Sequence, residues 1–141
     1  MTDLSSKALR VVLVIIGGFF VFVGINVGFG GIQTLGLQGS SQFLTVTQEG
    51  RYLVQDSHVR FLGGVFGALG LFLILGATNL KKYQAGLKLA FALTFIGGLV
   101  RFTSLRPDVV FGPDVIMSAL GELVLMPILY VWLSRVMRTD I

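Results

Sequence analysis

Three ionisable residues, Arg60, Arg101 and Glu122, lie in or at the margins of long apolar runs, and the amide of Asn26 lies inside another. A charge in hydrocarbon costs at least about 2.5–3.5 kcal/mol on insertion scales, so such residues turn toward one another, toward a cavity or toward a ligand. Two guanidiniums and a carboxylate can form a hydrogen-bonded ion-pair network, which removes much of that penalty. Asp56, one helical turn before Arg60, can balance the second arginine. If it does not, the excess positive charge favours an anionic guest. The candidate ligand-binding set is therefore Arg60, Arg101, Glu122, Asn26, Asp56 and His58. His58 is the one histidine, and at a span end it reads more readily as a solvated residue than as a catalyst.

The same inventory weighs against most chemistry. There is no cysteine, which excludes a disulfide framework, a thiol nucleophile and a cysteine-based zinc or iron–sulfur site. One histidine makes a zinc or haem site a poor expectation. No phosphate loop, Ser-His-Asp pattern or dinucleotide fingerprint is present. Glu122 is a candidate general acid or base but has no obvious catalytic company, and one carboxylate does not outline a channel. No catalytic residue, metal or cofactor is assigned.

These groups must be positioned by membrane helices. The chain has 141 residues, one domain by length, with 54% hydrophobic and only 13% charged residues, about half the charge of a soluble domain. Four segments can span: Val11–Ile32, Phe61–Leu80 (with its lead-in from residue 57), Tyr83–Leu105 and Val115–Ser134 (from Asp114). Each is near the roughly 20 residues that about 30 Å of hydrocarbon requires, and backbone satisfaction in lipid makes each a helix. The 22 uncharged residues of the first run exceed a signal-peptide core, so it is read as a retained span. The third span is interrupted by Lys88 and Arg101, which must snorkel or find partners. The expectation is an all-α, four-helix up-down bundle in one integral membrane domain over residues 1–141.

The net charge of +4 does not mark a nucleic-acid binder, because the basic residues sit in ones and twos at the ends of apolar runs. Lys7, Arg10, Lys81, Lys82, Lys88, Arg135 and Arg138 fall on one side, which predicts cytoplasmic termini. The connection over residues 33–55 is then external. Its QFLTVTQEGRYLVQ stretch is either a small β-hairpin turning at Glu49-Gly50 or an ordered loop lying on the membrane surface. Between the third and fourth spans, Pro107, Gly112 and Pro113 mark a short turn, with Asp114 as an expected helix cap.

At about 1.5 Å per residue, Glu122 lies roughly 12 Å deep, Arg101 roughly 6 Å and Asn26 roughly 9 Å, which suggests one polar layer in the outer leaflet. Gly63, Gly64 and Gly67 accompany Arg60 at helical spacing, and Gly97 and Gly98 accompany Arg101. Small residues mark close helix contacts in lipid. Pro127 follows Glu122 by five residues and is expected to bend the fourth helix beside the carboxylate.

The stretches DSHVRFLGGVFGALGL (56–71), GGLVRFTSL (97–105) and ELVLMP (122–127) resemble the DUF4345 family of small, mostly bacterial four-helix membrane proteins of unknown function; a looser similarity is to DoxX-like proteins. The resemblance covers residues 56–134 and reaches the first helix only by length and position. It emphasises Arg60, Gly63, Gly64, Arg101, Glu122 and Pro127, suggests a bacterial inner membrane, and implies no activity. Two functional readings stand beside a purely structural role for the charges. One is a bundle that binds a small anionic or lipid-like ligand. The other is an accessory subunit whose partner is a larger membrane complex or a second copy of itself.

Overall fold

The computed structural model describes residues 2–37 and 45–138. The chain is all-helical over these residues. Helix α1 (Thr2–Gly30) runs into a 3-10 turn at Gly31–Leu37; α2 covers Glu49–Thr78, and α3 covers Leu80–Val100 with a 3-10 extension at Arg101–Ser104. A short α4 (Pro107–Val110) leads to α5 (Ile116–Leu120), a π-helical turn at Gly121–Leu125 and α6 (Met126–Arg138). Four stretches, Leu4–Thr34, Glu49–Thr78, Leu80–Ser104 and Ile116–Arg138, are long and apolar enough to cross a membrane, which marks an integral membrane protein. Large apolar residues such as Ile15, Phe19, Phe22 and Phe29 stand exposed on them, a surface suited to lipid rather than water.

Three expectations change. The hairpin is replaced by helix: Glu49 and Gly50 open α2 and residues 51–55 continue it, with Tyr52 N–H already bonded to the Gln48 carbonyl. An acidic Glu49 in the first turn suits the positive end of the helix dipole. Residues 42–44 of that expected hairpin lie outside the described residues. The first two spans also begin earlier than their apolar cores, because helix continues through polar residues until its backbone bonds are interrupted. Finally, Asp114 does not cap the fourth span. Val115 occupies the N-cap of α5 without a side-chain bond, and Asp114 lies in the preceding turn.

The chain divides into two compact units, Met1–Leu13 with Gly76–Ile141, and Val14–Leu75. In the second, α1 and α2 run antiparallel with their backbones nearly touching. A Cβ at Gly17 would lie 2.7 Å from the Gly70 carbonyl oxygen, one at Gly24 would strike Gly67, and one at Gly63 would lie 2.5 Å from Gly28 N. Phe20 stacks on Phe66 with ring centroids 4.1 Å apart.

The first unit has its own core, in which Leu9, Leu13, Leu80, Leu87, Leu129 and Leu133 are fully buried. Asn79 caps α3, its Oδ1 accepting from Lys82 N–H at 2.9 Å. Trp132 donates its indole N–H to Ser5 Oγ at 2.9 Å, and Arg10 Nη1 donates to the last carbonyls of α2, those of Ala77 and Thr78.

Candidate functional site

Arg101 stands where α3 tightens into its 3-10 extension, and Glu122 lies in the π-turn between α5 and α6. Arg101 Nε donates to Glu122 Oε2 and Nη2 to Oε1, both at 2.6 Å, a bidentate pair. Gly98 makes the approach possible, because a Cβ there would lie 2.8 Å from Glu122 Cβ and 3.0 Å from Leu123 Cδ2. The pair is not sealed. Arg101 keeps 37% of its side-chain surface and Glu122 keeps 17%. Among the described residues, Arg101 Nη1 has no hydrogen-bond partner.

The π-turn has a local cause. Met126 N–H bonds to the Gly121 carbonyl, five residues back. Pro127, the next residue, has no N–H to restore the α-helical pattern and cannot sit under the carbonyl four residues before it. The disturbance expected at Pro127 therefore takes the form of a wide turn that contains Glu122, and π-turns are frequent at functional sites.

Arg60 is held differently. Its Nε donates to Asp56 Oδ2 at 2.6 Å, and its Nη1 donates to the carbonyls of Gly28 and Phe29 at the end of α1. Asp56 is 7% exposed and accepts the Ile32 N–H through Oδ1 at 2.9 Å. The two side chains thus cap the C-terminus of α1 from α2, the arginine serving its orphan carbonyls and the aspartate serving an amide beyond it. Gly31 makes the cap possible: it turns at φ +70°, a left-handed conformation, and a Cβ there would collide with Asp56 Oδ1. Thr34 Oγ1 closes the same end by donating to the carbonyls of Asn26 and Gly31, 3.0 Å each.

The expected set of charged residues thus resolves into two pairs, Arg101 with Glu122 and Arg60 with Asp56, each inside its own unit. Among the described residues the buried Oδ1 of Asn26 has no hydrogen-bond partner, and His58 is exposed on α2. Of the glycines singled out, Gly63, Gly67 and Gly98 stand at helix contacts, whereas a Cβ at Gly64 or Gly97 would meet open space. The sequence reading missed Arg10 as the cap of α2, Gly24 and Gly28 as partners of the α2 glycines, and Gly31. The four-residue spacing of Gly24 and Gly28, and a glycine just past an apolar helix, were the available signals.

Outside the spans, Arg106 and Asp108 form a solvent-exposed pair at 2.7 Å. The Arg106 guanidinium holds the Asp108 carboxyl below its ordinary range. Among the described residues no group of three or more His, Cys, Asp or Glu side chains could hold a metal ion.

No curated protein and no solved structure matches this chain. A family match covers residues 8–133, nearly the whole length, and includes both pairs and the π-turn. The chain belongs to the family described as a domain of unknown function, DUF4345.

Proposed function

We propose that this chain is an integral protein of a bacterial inner membrane, with cytoplasmic termini, and that its Arg101–Glu122 pair holds the acceptor head of a small anionic or lipid-like molecule. The carrying observation is the uncommitted Nη1 of Arg101 on a side chain 37% exposed. Hydrocarbon would offer that donor no acceptor, and a phosphate or carboxylate oxygen is its best acceptor. Because Asp56 neutralises Arg60, uncompensated charge does not supply the selectivity. The guest is recognised by directed donation from Arg101, with Glu122 fixing the guanidinium plane. The distribution of lysine and arginine supports the orientation.

The test is an experimental density map of the protein extracted with its native lipids. The proposal expects density for a head group within hydrogen-bonding distance of Arg101 Nη1, lost in Arg101→Gln. A closed pair with no adjoining density overturns it and leaves a clamp between helices. A second protein chain seated over Arg101 overturns it in favour of an accessory subunit.

A further inference from the structure

Lys88 poses a separate question at the other end of α3. It lies about two and a half turns beyond Asn79, roughly 13 Å along the axis, inside a stretch apolar enough to span. Arg101, near the far end of this stretch, has a carboxylate; Lys88 has none among the described residues. Its Nζ lies over the Tyr130 ring of α6, 5.5 Å from the centroid. A cation–π contact lowers the cost of a desolvated ammonium without neutralising it.

The surroundings extend this cation into a track. Lys81, Gln84 and Lys88 recur at spacings of three and four on one face of α3. On α6, Tyr130 and Ser134 stand one turn apart, with Arg138 a turn beyond. The two elements are antiparallel, since Gly98 meets Glu122 and Lys88 meets Tyr130. That register sets Gln84 level with Ser134 and Lys81 level with Arg138. Lys81 and Arg138 are exposed and, like Lys88, lack a carboxylate partner among the described residues. Two ion pairs of this unit, Arg101–Glu122 and Arg106–Asp108, belong to the opposite end of α3.

We infer that the face shared by Lys81, Gln84, Lys88, Tyr130, Ser134 and Arg138 binds the head group of an anionic phospholipid. Lys88, its stem lying along apolar surface, extends toward the phosphate. Lys81 and Arg138 stand at the level of the head group and add the preference for net negative charge. Gln84 and the Tyr130 hydroxyl supply neutral donors between them. A zwitterionic lipid would satisfy Lys88 alone, and its own cation would face Lys81 and Arg138.

The whole chain, purified in detergent, would be titrated with phosphatidylglycerol and with phosphatidylcholine, and bound lipid read by native mass spectrometry. The expected result is at least tenfold tighter binding of phosphatidylglycerol. Lys88→Gln weakens it about fivefold, the change that about 1 kcal/mol per basic residue near an anionic surface corresponds to, and Lys88→Arg retains it. Arg51→Gln, on α2 and outside this face, leaves it unchanged. Should Lys88→Gln fail to fold, Lys81→Gln with Arg138→Gln carries the test, with a loss at least as large expected. Equal affinity for the two lipids, or an equal loss from Arg51→Gln, overturns the inference. Displacement of phosphatidylglycerol by millimolar inorganic phosphate overturns it too, because the occupant would then be a small anion.

Discussion

Glu122 and Asp56 are both carboxylates inside apolar helices, and each answers a different need. Glu122 neutralises Arg101 across two elements, whereas Asp56 completes a helix cap. Glu122→Gln keeps hydrogen-bonding capacity and is expected to stay folded. Glu122→Leu with Arg101 intact strands a guanidinium and should lower stability by about 1–3 kcal/mol in thermal unfolding in detergent. Stability equal to the wild type would remove the pair from any structural role. Arg60→Leu exposes the Gly28 and Phe29 carbonyls and leaves Asp56 without its cation, and a loss of similar size is expected. The exposed Asp108 gives the pH dependence. Its folded-state pKa lies below the ordinary carboxylate value of 3.8, so the small stabilisation it contributes is present above that value and is lost as pH falls through the lowered one. Carboxyl carbon shifts followed by NMR should place its midpoint below 3.8, and Arg106→Gln should return it toward the ordinary value.

At the scale of elements, neighbouring glycines have different consequences. Gly63→Ala would drive a Cβ into Gly28 of α1, and overpacking of this kind costs about 1–3 kcal/mol. Gly64→Ala, one residue on, meets open space and removes a weak helix former, so it should be neutral or stabilising. Unfolding midpoints of the two variants should therefore move in opposite directions or differ by several degrees; equal losses would deny the close α1–α2 approach. Pro127→Ala restores an N–H and removes the ring that keeps this turn from closing as regular α-helix. Cα chemical shifts across residues 121–126 should move toward regular α-helix. The Glu122 side chain would rotate with the turn, weakening its bidentate grip on Arg101.

At the scale of the whole molecule, the orientation proposed from the basic residues can be read by labelling, since the chain has no native cysteine. A membrane-impermeant thiol reagent applied to intact cells should modify Gln48→Cys and Asp114→Cys and spare Ser6→Cys. The reverse pattern would invert the topology and place the Arg101–Glu122 pair toward the cytoplasm.

Helical class, four spans and family membership were legible in the amino-acid order because lipid leaves the backbone few options and each span is a contiguous apolar run. The pairing of Arg101 with Glu122 was also legible in outline, since both interrupt apolar runs toward the same end of the bundle. Residue order alone could not say that Arg60 is spent on the end of α1, that Gly31 clears the way for Asp56, or that Pro127 acts through a π-turn around Glu122. Nor could it show that Arg10 caps α2 or that Lys88 meets the ring of Tyr130. Those outcomes depend on which carbonyls and rings a neighbouring helix brings within about 3–6 Å, a consequence of side-chain packing between segments far apart in the chain. Apolar length determined that the chain enters a membrane; tertiary contacts decided which of its charges pair with one another and which cap helix ends.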